Sequence, residues 1–165
     1  MAKPFRLYIC SDIHASERTW RKFLNSVRAN VYKADAALIA GDLTGKALVP
    51  VVRDDAAGTW TATLLGQRRV ARNDRELDEL ERSIADVGYY AVRVTPEERA
   101  EMERDPEVVR ARFHEAIGRR VREWMALASE RLEGSNLPVY LMPGNDDDFE
   151  IDPILAESTY CRNVN

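Results

Sequence analysis

Three short apolar runs, each breaking at once into a loop of acids, glycine or asparagine, constrain this chain more than anything else in it. Residues 5–10 (FRLYIC) lead into Ser11-Asp12-Ile13-His14. Residues 36–40 (AALIA) lead into Gly41-Asp42-Leu43-Thr44-Gly45. Residues 138–142 (PVYLM) lead into Pro143-Gly144-Asn145-Asp146-Asp147-Asp148. Runs this short, bounded by turn formers, read as buried strands. Ser16 is placed to cap a helix from Glu17 to about Asn30, with Trp20, Phe23, Leu24 and Val27 on one face. Asp105-Pro106 opens a longer helix carrying the stripe Val109, Phe113, Ile117, Val121, Met125, Ala128 and Leu132, and Gly134 follows it. Strand, helix and strand in this order predict an α/β fold with a parallel sheet covered by helices. Ligands of such sheets bind beyond the carboxyl ends of the strands, so all three loops are expected to converge on one crevice.

The chain has 165 residues of even composition, which predicts a single domain over residues 1–165. Within it, residues 47–103 read as a structured insertion. Residues 48–53 and 59–65 flank a turn and predict a hairpin. Residues 74–87 predict an amphipathic helix and 88–94 a strand. Thr95-Pro96-Glu97-Glu98 is a capping box. Trp60, Tyr89 and Tyr90 are expected to form a small core of the insertion's own. Because it starts just after Gly45, the insertion is expected to form a cap over the crevice or an oligomer surface.

With 24 basic against 28 acidic residues the formal charge is −4, which argues against a stable nucleic-acid complex. No apolar run approaches the roughly 20 residues of a membrane span. Met1-Ala2-Lys3-Pro4 carries no apolar signal segment. Cys10 and Cys161 are too few for a disulfide framework or a zinc–thiolate cluster. The expectation is a reduced, soluble, cytoplasmic protein with no membrane partner.

The loops carry the chemistry. Asp12 and His14 combine carboxylate and imidazole, a set that suits Mn, Fe or Zn better than Ca. Asp42 has two oxygens and can bridge two ions. Asn145 offers a carbonyl oxygen that adds no charge. Two ions roughly 3.5–4 Å apart polarise a phosphoryl oxygen and activate water for in-line attack. Gly41-Asp42-Leu43-Thr44-Gly45-Lys46-Ala47 is one residue short of a P-loop, and Ala47 stands where Ser or Thr must be. The acidic run 146–150 lacks the glycine of a calcium loop.

Asp12-Ile13-His14, Gly41-Asp42-Leu43-Thr44-Gly45 and Gly144-Asn145-Asp146-Asp147, each after a strand and in this order, resemble the motifs of the calcineurin-like metallophosphoesterases. Each motif alone is weak; the three together are specific. The resemblance implies a β-sandwich flanked by helices and a metal-dependent hydrolysis of phosphate mono- or diesters. It implies two divalent ions held by Asp12, His14, Asp42 and Asn145, with Asp42 bridging. Asp146 or Asp147 would orient the water or the leaving group.

Two departures accompany the resemblance. Asp146 stands where the family has a histidine that acts on the scissile phosphate. The family's downstream histidines are also missing, since His14 and His114 are the only histidines here. The resemblance therefore implies the N-terminal portion of the fold, with an unpaired sheet edge that invites homo-oligomers. The competing expectation is a catalytically silent chain of the same fold that binds a partner. His114 is expected to pack on the flank of its helix, and Asp148 and Glu150 to be extra solvated acids or an outer-shell contact.

Overall fold

The computed structural model describes residues 3–164. Met1 and Ala2, the first residues of the N-terminal segment read above, and Asn165 lie outside the described residues.

Four strands form a wholly parallel sheet. They are β1 (Leu7–Cys10), β2 (Ala36–Ala40), β7 (Val139–Met142) and β8 (Cys161–Asn163), in the order β1-β2-β7-β8. The register sets Ile9 beside Leu38, Leu38 beside Tyr140 and Tyr140 beside Arg162. Three α-helices cover one face: α1 (Glu17–Arg28), α4 (Pro106–Arg131) and α5 (Asp152–Ala156). Their side chains meet Ala37, Ile39, Val139 and Leu141 in one buried cluster. Trp20 of α1 lies flat on Trp124 of α4, with ring centroids 4.8 Å apart. The Trp124 indole N–H donates to Glu17 at 2.7 Å, so a large aromatic is buried with its polar atom satisfied. The apolar stripe read along α4 omitted Trp124; it lies one position off the strict spacing, between Val121 and Met125.

The opposite face of this sheet is bare. Phe5, Leu7, Ile9, Met142 and Val164 are all exposed, Phe5 at 71%. Parallel sheets are ordinarily covered on both faces.

The segment after β2 forms a second four-stranded sheet with its own buried cluster. It comprises β3 (Leu48–Asp54), β4 (Thr59–Leu64), β5 (Gln67–Ala71) and β6 (Tyr90–Val94), in the order β5-β4-β3-β6. The helices α2 (Asp74–Asp86) and α3 (Pro96–Arg104) belong to the same segment, and α2 contributes Leu77, Leu80 and Ile84 to the cluster. Each sheet is thus buried against helices. β5 was not foreseen: Gln67-Arg68-Arg69 is polar, and the strand is an exposed edge that those charges protect from stray pairing. Its turn, Leu65-Gly66, has both residues at positive φ, the twist a tight hairpin needs.

Tyr90 belongs to the main cluster and not to the insertion's own core. It stacks edge-on with Phe113 of α4 and accepts a hydrogen bond from the Gly45 N–H at 2.8 Å. Trp60 and Tyr89 do pack on the second cluster. Tyr90 is therefore a pin between the two sheets.

Tyr90→Phe removes the acceptor of a buried N–H. We expect a loss of about 1–3 kcal/mol in urea unfolding. Trp124→Ala should lose about 3–5 kcal/mol, because its cavity cannot close.

Candidate metal centre

The three loops beyond β1, β2 and β7 are stitched edge to edge. Asp12, His14 and Ala15 donate their N–H groups to the carbonyls of Gly41, Asp42 and Leu43 at 3.3, 2.9 and 2.8 Å. The Gly41 N–H donates to Met142 at 2.8 Å. To follow this ladder, Asp12, His14, Ala15 and Asp42 all take positive φ. Left-handed backbone costs roughly 1–2 kcal/mol at a residue with a Cβ, so the surrounding bonds must over-determine it. Gly144 comes so close that a Cβ there would stand 2.3 Å from Asp42 Oδ1 and 2.4 Å from the Asp42 nitrogen. The insertion supports the first loop from behind. Gly88 abuts the His14 carbonyl, and the Ser16 hydroxyl, which also caps α1, donates to Asp86.

This backbone brings three ligating side chains together. One donor atom each of Asp12, His14 and Asp42 lies within 4.8 Å of the others. His14 Nε2 is 3.8 Å from Asp12 Oδ1 and 3.9 Å from Asp42 Oδ2. These distances exceed a hydrogen bond. Donors each about 2.1 Å from a common ion stand roughly 3–3.5 Å apart, so small side-chain movements would satisfy one ion. His14 Nδ1 is buried without a hydrogen-bond partner. Backbone and charge, not a hydrogen bond, therefore aim the ring. The Asp12 side chain is 63% exposed and that of Asp42 only 16%, so the site opens to solvent on the β1 side.

The other residues expected at the site have distinct places. Asn145 is exposed at the lip, with its amide nitrogen donating to Asp146 Oδ1 at 3.0 Å. Asp146 Oδ2 is 2.5 Å from Lys46 Nζ. That hydrogen bond holds the Asp146 carboxyl below its usual range and raises Lys46, so the pair is ionised at neutral pH. An ionised Asp146 has no proton to give a leaving group. Asp147 accepts from the Thr44 N–H and hydroxyl on Oδ1, and from the N–H groups of Leu43 and Gly144 on Oδ2, all at 2.7–2.9 Å. All four of its acceptor positions are engaged, leaving none to orient water.

His114 pairs with the third loop, 3.5 Å from Asp148 and 3.3 Å from Glu150, and so does not join the Asp12 group. Sequence reasoning missed two things here: Lys46 as a member of the site, and Asp147 as its tie. A signal for Lys46 was present, since a lysine directly after Gly-Asp-x-x-Gly is conspicuous in a chain whose other basic residues, Lys3, Lys22 and Lys33 apart, are arginines. A separate cleft of about 560 Å³ between β6 and α4, lined by Arg93, Arg112, Arg119 and Arg120, contains none of these residues.

Comparison with family models, with curated proteins and with solved structures returned no match. Among the described residues, no helix is long and apolar enough to cross a membrane.

Asp147→Ala orphans four donors at once. We expect at least about 2–4 kcal/mol lost in chemical unfolding. Burial pushes the thiols of Cys10 and Cys161 up to about 11 and about 12. At pH 8 both are therefore mostly protonated in the fold, and iodoacetamide should label them markedly faster once urea is added.

Proposed function

We propose that this chain is a divalent-metal-dependent hydrolase of phosphate mono- or diesters, of the calcineurin-like metallophosphoesterase kind. One observation carries the reading: Asp12, His14 and Asp42 converge beyond the ends of two neighbouring parallel strands, on backbone held in an unfavourable conformation. Such strain is retained where function requires it. The donor set of two carboxylates and an imidazole suits Mn, Fe or Zn. A bound ion would supply Lewis acidity toward a phosphoryl oxygen and would lower the pKa of water.

The chain's own residues do the rest. Asp12, His14 and Asp42 would hold the ion, and the half-buried Asp42 also receives the Asp146 N–H at 3.4 Å, which orients its carboxylate. Asn145 stands at the lip with its carbonyl oxygen available to a second ion or to substrate. Asp147 fixes the second loop against the third. Asp146 positions Lys46. Both acids thus act through their neighbours, and neither exchanges protons with substrate. In this reading the bare face of the parallel sheet is where a second sheet of the sandwich would lie.

A second reading has its own observation. The same bare face, with Leu7 and Ile9 exposed on one edge strand and Phe5 exposed just before it, suits a catalytically silent chain that pairs with another copy of itself.

Hydrolysis of p-nitrophenyl phosphate and its bis-ester with Mn²⁺ separates the two readings. The hydrolase reading expects turnover that EDTA abolishes, that added Mn²⁺ restores and that Asp42→Ala loses while keeping the wild-type circular dichroism. Turnover indifferent to EDTA, or none from metal-loaded protein, rejects it.

A further inference from the structure

We propose that Lys46, clamped by Asp146, is the cation that receives the phosphoryl group beside a single metal ion, doing the electrostatic work of a second ion. The proposal rests on the hydrolase reading above and deepens it.

Position comes first. Lys46 follows Gly45 on the second loop and reaches the third loop, its Nζ 2.5 Å from Asp146 Oδ2. Asp42 and Asp12 also act on it through space. Among the described residues, no other lysine or arginine pairs with Asp12, Asp42, Asp146 or Asp147. The Lys46 side chain is 59% exposed. An ammonium has three donors, and Asp146 takes one. The other two remain for an arriving anion. The strong hydration of a free ammonium is partly replaced by the carboxylate, which also fixes a flexible side chain in one place.

Ligand supply comes next. Among the described residues, Asp12, His14 and Asp42 are the one group of histidines, cysteines and acids placed to share an ion. A second ion would have the remaining oxygen of Asp42 and the lip residue Asn145. Asp146, the next acid, is already committed to Lys46, and Asp147 to four donors. Two protein ligands make a poor site for a hard or borderline divalent ion, whereas three with open positions are what a catalytic site needs.

Charge is consistent with this. Asp12, Asp42 and Asp146 contribute three negative charges. One divalent ion and Lys46 supply three positive ones. Asp147 keeps its formal charge, shared among four neutral donors, so Lys46 brings a singly loaded site from two net negative charges to one. Without Lys46 that site would repel a phosphate more strongly.

The test is calorimetry on the full chain, first with Mn²⁺ and then with inorganic phosphate added to the Mn²⁺-loaded protein. We expect one Mn²⁺ per chain in the wild type. Lys46→Met should keep Mn²⁺ binding and weaken phosphate by about tenfold or more, the loss of one close charge partner. Lys46→Arg should recover most of that affinity. Asp146→Asn should weaken phosphate less than Lys46→Met does, because the ammonium remains but is no longer held. Two Mn²⁺ per chain, or unchanged phosphate affinity in Lys46→Met with its Mn²⁺ binding intact, overturns the proposal and leaves the hydrolase reading standing. No Mn²⁺ binding at all overturns both.

Discussion

The carboxylate of Asp147 is the interaction on which the site depends. It lies on the third loop, yet three of its four hydrogen bonds go to Leu43 and Thr44 of the second, more than a hundred positions earlier in the chain. The fourth closes the turn at Gly144. Four charge-assisted hydrogen bonds from one group are worth several ordinary ones. They hold the second loop in place, and the second loop in turn offers the carbonyls that accept from Asp12, His14 and Ala15. Left-handed backbone at four residues is unfavourable in isolation and persists because this ladder leaves no other arrangement.

The two sheets serve this arrangement differently. The parallel sheet supplies the strand ends and so the spacing of the loops. The insertion supplies pressure from behind, through the Gly88 backbone against His14, the Asp86 carbonyl on Ser16 and the Tyr90 hydroxyl under Gly45. These contacts make it a buttress of the first and second loops. The helices cover only one face of the parallel sheet, and the exposed side chains of Phe5, Leu7 and Ile9 mark the other as a surface that water disfavours.

Much of this was legible in the residues. Three of the four strands of the parallel sheet, β1, β2 and β7, announced themselves because short apolar runs stop dead at turn formers; β8, Cys161-Arg162-Asn163, has no such run and was not foreseen. The helix caps at Ser16, Thr95 and Asp105 were readable because each places an oxygen over an exposed N–H, and all three caps form. The grouping of Asp12, His14 and Asp42 was expected because each follows the carboxyl end of a strand, and the family resemblance named the same residues. What was not legible depends on long-range contact. β5 is polar because it is an edge, and no local pattern distinguishes an edge strand of that kind from a loop. Tyr90 looked like insertion core because its partners, Phe113 and Gly45, are distant in sequence. The role of Asp147 was hidden for the same reason: its type invites a catalytic reading, and only its four donors show that its oxygens are spoken for. Lys46 was read only as part of a failed P-loop match, although its position after Gly45 pointed at the site.

The central claim is that Asp12, His14 and Asp42 form one metal centre. Anomalous diffraction from crystals grown with Mn²⁺ tests it most directly. The account predicts a single strong peak among those three side chains, near Lys46 and on its open side. A peak between His114, Asp148 and Glu150 instead, or no ordered ion near the strand ends, would contradict it.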